Sequence, residues 1–389
     1  MKTFALSVVL ILMSAGACRA QCAPVRPGAE SFDEYLPLLE GKRVAVMSNH
    51  TGTVGNEHLV DVLKRKGVNL TTIFAPEHGF RGLGDAGEHI SDTTDEATGL
   101  PVRSLYGGKS NRPSERDMQL FDVLLFDIQD VGLRFYTYYI SMFWLMDACA
   151  EHHKKMIVLD RPNPNGQYVD GPILDMKHKS GVGLLPIPVV HGMTLGELAL
   201  MINGEGWLPE RRICDLSVIR CKNYTHQTTY CLPVAPSPNL PNMKSVGLYP
   251  SVCLFEGTGV SLGRGTPHPF QVYGHPDMKG CEFSFTPQSI PGAKNPPLPD
   301  RLCYGVDLRK IPDEVIRENG LDLTYLIDAY RNLNMGDRFF TPFFEKLIGV
   351  DYVRKMIRDG KSAAEIKAVW KSDVEIFKKQ RRPYLLYPE

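Results

Sequence analysis

The sequence has no excess of charge of either sign: Lys plus Arg and Asp plus Glu both number 44 over 389 residues. Without a basic field, a nucleic-acid or anionic-membrane surface is not expected. No CxxC occurs among the nine cysteines, and no histidine stands at the spacing of a structural zinc site. The turn after the first strand-like run, Asn49–Gly55, lacks GxGxxG, and the glycines of Phe255–Gly265 are not followed by a lysine. Dinucleotide and P-loop nucleotide binding are set aside on that ground, and no cofactor is expected. Beyond the N-terminus no apolar run is long enough to span a bilayer. Internal repeats and low-complexity tracts are absent too.

What is present begins with an export signal over residues 1–20. Lys2 precedes the apolar run Phe4–Met13, and small residues lead to a cleavage zone ending at Ala20. An exported, periplasmic protein is expected; the alternative is a lipid anchor at Cys18, against which Ala15 stands where such sites usually carry Leu. Hydrophobic content of 43% and 23% charge suit a globular chain long enough for two domains. The expected division is 21–185 and 186–389. Cys149 falls in an apolar helical pattern and reads as a buried thiol, whereas Cys214, Cys221 and Cys231 allow one bridge.

In the N-terminal half, apolar runs alternate with helical patterns. Arg43–Met47, Val68–Phe74, Asp122–Phe126 and Met156–Leu159 read as strands, with helices over His58–Lys66 and Phe135–His152 between them. Such βαβ units predict an α/β fold with a Rossmann-like parallel sheet, all strand C-termini on one edge. That edge is where open sheets bind ligands. It would collect Asn49, His50, Glu77, His78, Arg81, Asp127, Gln129, Asp130, Arg134, Asp160, Arg161 and Asn163. A long polar loop, Leu83–Gly108, follows the second strand, and loops of that length are usually functional or mobile.

After about Gly171 the composition shifts, and a loop-rich α+β second domain is expected. Thr194 with Glu197 three residues on is a capping box, opening a helix that ends near Gly204. Pro233–Pro250 and His268–Pro299 read as irregular. Between them lies Phe255-Glu-Gly-Thr258, with Arg264 shortly after. Helical patterns over Leu321–Asn332, Thr341–Leu347 and Ala363–Lys378 close the chain.

Each candidate has a plainer reading. Glu77 follows a proline and a phenylalanine, which suits a partly desolvated general acid, or it caps the loop. Asp127 and Asp130 either do chemistry or anchor loops through backbone N–H groups. Asp160 and Arg161 either pair locally or hold a ligand. Glu256 is a second acid or a turn former. Arg81, Arg134, Arg161 and Arg264 suit an anionic substrate, since guanidinium grips a carboxylate at two points. Tyr136 and its aromatic neighbours stack on a sugar or fill the core.

Seven stretches together resemble one family: Ser48-Asn-His-Thr-Gly52, Ala75-Pro-Glu-His-Gly-Phe-Arg-Gly82, Phe126-Asp-Ile-Gln-Asp-Val-Gly132, Arg134-Phe-Tyr-Thr-Tyr138, Leu159-Asp-Arg-Pro-Asn-Pro164, Val190-His-Gly-Met-Thr194 and Phe255-Glu-Gly-Thr258. The chain is similar to the NamZ-like exo-β-N-acetylmuramidases, glycoside hydrolases first catalogued as a domain of unknown function. That resemblance implies a Rossmann-like domain, a smaller C-terminal domain and a cleft between them. It further implies release of N-acetylmuramic acid from the non-reducing end of peptidoglycan-derived saccharides, with Glu77 as the catalytic glutamate. On the residues' own chemistry, Glu77 is the acid and Glu256 or Asp127 its partner. Asn49, His78, Arg81, Gln129, Asp130, Arg134, Tyr136, Asp160, Arg161, Asn163, His191 and Arg264 are the candidate substrate contacts. Two rivals stay open: a periplasmic sugar-acid-binding protein, which needs no Glu77, and a metal-dependent hydrolase using Asp127, Asp160, His50 and His191. No protein partner is indicated.

Overall fold

The structure is a computed structural model that describes residues 24–77, 79–81, 92–106 and 111–389. The stretch expected as an export signal, with Cys18, and also His78 and much of the 83–108 stretch lie outside the described residues.

Seven strands form the main sheet: β1 (Val44–Ser48), β2 (Leu70–Ala75), β3 (Thr93–Thr94), β4 (Pro101–Ser104), β5 (Val123–Asp127), β6 (Lys155–Leu159) and β7 (Asp215–Ile219). Their order is β7-β6-β5-β1-β2-β4-β3, parallel throughout except for β3, which runs against β4. The stretch expected as one long loop therefore contributes two edge strands. Likewise β7 comes from residues 215–219, past the expected 185/186 division.

Side chains alternate across the sheet. Val44, Val46, Ile73, Leu125 and Ile157 face α1 (Leu59–Arg65), while Ala45, Met47, Phe74, Leu124, Phe126 and Met156 face the larger core. That larger core is continuous with the C-terminal half. It joins α2 (Tyr138–Glu151) and α3 (Leu195–Gly204) to α4 (Met243–Val252), α5 (Phe343–Ile348) and α6 (Ala363–Arg381), with Leu254, Phe255, Trp370 and Phe377 wholly buried. A small antiparallel sheet, β8 (Val272–His275), β9 (Phe283–Phe285) and β10 (Cys303–Asp307), in the order β8-β10-β9, lies beyond.

The capping box at α3 forms as its spacing predicts: the Thr194 hydroxyl accepts from the Glu197 N–H, and the Glu197 carboxylate accepts from the Thr194 N–H. α4, by contrast, falls in a segment expected to be irregular. It contains Pro250 in its last turn, which leaves the Val246 carbonyl without its intrahelical donor. The Asn165 amide supplies one at 3.4 Å. Cys214, Cys221 and Cys231 are free thiols, so the bridge allowed among them is not formed; Cys149 is buried, and burial pushes its thiol pKa up.

Arg134, expected as a ligand contact, is instead a buried tie. Its Nη1 donates to the carbonyls of Pro172 and Ile187, and its Nη2 to those of Leu347 and Ile348 at the end of α5. Burial lowers its pKa to about 10, so it stays charged at neutral pH.

Candidate active site

The crevice at the C-terminal ends of β1 and β5, where this strand order reverses, is filled by the protein itself. Arg161 donates from Nε to Asp127 Oδ1 at 2.6 Å and from Nη2 to Asp127 Oδ2 at 2.9 Å, and both side chains are almost wholly buried. A Cβ on Gly52 would lie 2.0 Å from Ser48 Oγ and 3.0 Å from Asp127 Oδ2, so only glycine lets the chain pass over this pair. Asn49 is buried with its Oδ1 accepting from the Thr51 N–H and hydroxyl. Gln129 donates to the carbonyls of Asp130 and Pro162. The Asn163 amide donates to Met193 O and accepts from the Asn165 N–H.

Asp160 accepts from the Thr194 hydroxyl, the Gly196 N–H and the Tyr387 hydroxyl, tying α3 and the C-terminal tail to β6. Burial nevertheless raises its pKa to about 6. His191 is buried, its Nδ1 accepting from the Met193 N–H; burial first, and then Arg381, lower its pKa to about 3, so the ring is neutral. Arg81 pairs with Asp95 at 2.9 Å and reaches Asp61 at 3.5 Å. None of these side chains lines the main cavity. Asp127 in particular is corrected: a carboxylate held at both oxygens by a buried guanidinium has no geometry for attack or proton transfer.

The cavity lies to one side of that crevice, beyond the end of β2, and has a volume of about 600 Å³. Four expected residues line it: Glu77, Tyr136, Glu256 and Arg264. Glu77 stands two residues past β2, where Pro76 ends the strand. Its Oε2 accepts from the Thr137 hydroxyl at 3.2 Å, at the start of α2. Tyr106 also faces it, and burial together with the Glu77 charge pushes the phenol pKa up.

The opposite chemistry comes from the C-terminal half. α4 runs into a tight turn, Cys253–Gly257, that presents Glu256. Gly257 there packs so closely on α5 that a Cβ would meet Phe344 Cα at 2.5 Å. Arg264 donates to Glu256 Oε1 from Nε at 2.9 Å and from Nη2 at 2.6 Å, and lies over the Phe270 ring at 5.0 Å. Burial alone would lower its pKa, but Glu256 holds it above the ordinary arginine value. Arg264 is the single Lys or Arg lining the cavity among the described residues.

One wall is aromatic: Tyr138 meets Tyr136 edge-to-face at 4.9 Å, Tyr136 meets Tyr249 at 6.0 Å, and Tyr249 meets Phe270 at 4.8 Å. The Tyr136 hydroxyl donates to Pro236 O at 2.8 Å, fixing the ring. Sequence reasoning missed Ser237, Asn239, Asn111 and Tyr249, all lining residues. The amide-bearing turn Ser237-Pro-Asn-Leu240 between prolines was the available signal, since a turn of that type displays its side chains.

These features form a sugar-sized hollow with two carboxylates, one cation and an aromatic wall. The matches to known proteins agree with it. Residues 44–244 match the family described as exo-beta-N-acetylmuramidase NamZ, N-terminal, and residues 247–387 its C-terminal counterpart. The chain belongs to the NamZ family. It is 38% identical over 374 residues to the peptidoglycan beta-N-acetylmuramidase NamZ of Bacillus subtilis (strain 168), covering 91% of this chain and 89% of that one. A DUF1343 family protein of Bacteroides fragilis NCTC 9343 (BF0379), solved by crystallography, superposes with a TM-score of 0.89 at 65% identity, covering 94% of this chain and all of that one. A second from the same organism (BF0371) gives 0.78 at 28% identity, covering 93% of this chain and 99% of that one. The chain is thus a NamZ-like glycosidase. Among its described residues, no three His, Cys, Asp or Glu side chains are placed to hold a metal, and no helix is long and apolar enough to cross a membrane.

Just outside the cavity, Asp130 has a titration of its own. It is buried, with Oδ1 accepting from the Gly132 N–H at 2.6 Å and the Val131 N–H close by, and with no hydrogen-bond partner for Oδ2 among the described residues. Burial raises its pKa from the ordinary 3.8 to about 7. The folded chain therefore binds a proton that the unfolded chain has released between these values, so this group's contribution to stability falls as pH rises from about 4 to 7. Asp130→Asn removes the ionisation. Denaturant unfolding is expected to show the variant more stable than wild type by roughly 1–3 kcal/mol above pH 7, with the gap closing by pH 4.

Proposed function

We propose that the protein is an exo-acting peptidoglycan β-N-acetylmuramidase. It would release N-acetylmuramic acid from the non-reducing end of peptidoglycan fragments, outside the cytoplasm, in a cleft between a Rossmann-like sheet unit and a smaller C-terminal unit. The observation that carries this reading is the sharing of one cavity by Glu77, from the sheet's end, and the Glu256–Arg264 pair, from the far half of the chain.

Glycoside hydrolysis needs a proton for the departing oxygen and usually a carboxylate on the other side of the sugar ring. Glu77 is the donor, positioned by Thr137 and Tyr106. Glu256 is the second carboxylate, the role for which Asp127 was the alternative. Arg264, held in place by Glu256, takes the lactyl carboxylate that separates muramic acid from glucosamine. The aromatic wall packs against the apolar face of the ring.

Turnover of a chromogenic N-acetylmuramide, with no turnover of the matching N-acetylglucosaminide, is the test. Saturable binding of the muramide without cleavage would replace this reading by that of a sugar-acid-binding protein. Arg264→Ala is expected to raise KM for the muramide about 10- to 100-fold, with a smaller effect on kcat, as removal of a charged hydrogen bond would. An unchanged KM would place the lactyl group elsewhere.

A further inference from the structure

A second hollow, of about 300 Å³, opens on the other side of the loop that carries Arg264. Arg264 lines the main cavity, while Gly265, Thr266, Pro267 and His268 line the second, so the two are separated by the thickness of one loop. A second link runs along the rim. Gln288, in the second hollow, donates its N–H to Gly265 O at 2.9 Å, and four residues on, Gly292 O accepts from Asn239 Nδ2 of the main cavity at 2.8 Å.

The floor of this hollow is built. Phe283 and Phe285 stand on one face of β9, with ring centres 5.8 Å apart and planes 31° apart. Arg309 lies over Phe283 at 5.8 Å. Asp307 holds its guanidinium at two points, Nε to Oδ1 at 2.8 Å and Nη2 to Oδ2 at 2.9 Å, and Nη1 donates to His268 Nε2 at 2.5 Å. Aromatic faces beside a planar, fixed guanidinium suit a pyranose: its C–H face packs on a ring while its hydroxyls accept from the two Nη N–H groups that Asp307 and His268 leave over. Among the described residues no carboxylate lines the hollow, Asp307 lying behind Arg309, which suits a polymer bearing a lactyl acid on alternate sugars.

We propose that this hollow is a secondary glycan-binding platform that holds the part of the peptidoglycan strand on the reducing-end side of the cleaved bond. The inference rests on the exo-muramidase reading above: an enzyme that takes only the terminal sugar into its cavity must let the remaining strand leave across its surface. The strand leaves over the 263–268 loop and settles on Phe283 and Arg309.

The test compares a chromogenic N-acetylmuramide with a peptide-free glycan of several disaccharide repeats ending in N-acetylmuramic acid. Phe283→Ala is expected to raise KM for the long glycan about tenfold at unchanged kcat, leave the small substrate unaffected, and be rescued by Phe283→Tyr. Gln288→Ala, at an exposed position, gives a smaller rise of the same kind. Equal losses on both substrates, or an unchanged KM for the glycan, would overturn the platform. So would a dependence on Phe283 confined to peptide-bearing strands, which would mark a peptide site at the β9 edge. Calorimetric binding of the same glycan to Glu77→Gln, with and without Phe283→Ala, reads the platform without turnover. Absence of turnover in wild type then counts against the muramidase reading alone, whereas equal affinity of the two variants counts against the platform.

Discussion

Glu77→Gln is expected to lower kcat/KM on a disaccharide of N-acetylmuramic acid and N-acetylglucosamine by about 10³-fold, with binding retained. The amide fills the same volume and can still accept from Thr137, whose hydroxyl lies 3.2 Å from the carboxylate. What it cannot do is give up a proton, and general acid catalysis is worth roughly 10²–10⁴ in rate. The leaving group makes the claim sharper. A sugar alkoxide departs poorly without protonation, while a nitrophenolate barely needs it. The same variant is therefore expected to lose only about tenfold on a nitrophenyl muramide, a difference that follows from how little that leaving group draws on the acid. Losses of equal size on both substrates would assign Glu77 to attack on the sugar or to support of the cavity, not to proton donation.

The second large effect is on stability. Arg134→Ala is expected to destabilise the protein by roughly 4–6 kcal/mol, because four buried carbonyls lose their donor at once and a cavity is left behind. Those carbonyls belong to Pro172, Ile187, Leu347 and Ile348, so one side chain joins the entry to α2 with two distant stretches, the second at the end of α5. Arg134→Lys recovers little, since an ammonium cannot span the four acceptors that a planar fork reaches. Denaturant unfolding measures the loss. A change below about 1 kcal/mol would show that water serves these carbonyls instead.

The sheet was readable because each central strand is a short, β-branched or aromatic run bounded by glycine, proline or charge. The helix at Thr194 was readable from its cap. The polar residues at the strand ends were harder. Asp127, Arg161, Asn49, Asp160 and Asn163 have the chemistry of a binding site, and the strand order places several of them at the crevice where ligands usually sit. Residue type does not reveal whether an acid's partner is a substrate or the arginine 34 positions later. Here the chain's own turns consume the hydrogen bonds. Glu77 differs in that the strand-ending proline carries it past the edge, where α2 and the C-terminal half leave space.

The C-terminal half was least legible. β8, β9 and β10 are three to five residues long and interrupted by Gly274 and Gly305, so no alternation could register. α4 was hidden by Pro250, whose cost is met by Asn165 from another part of the sequence. That helix presents Tyr249 and leads to Glu256, which is why half of the cavity could not be drawn from local pattern.

The most direct measurement offers purified protein two disaccharides that differ only in order, one with N-acetylmuramic acid at the non-reducing end and one with N-acetylglucosamine there, and follows free sugars by mass spectrometry. Release of both monosaccharides from the first, with the second left intact, is the predicted result. Cleavage of the second at a comparable rate, or of neither, would contradict it.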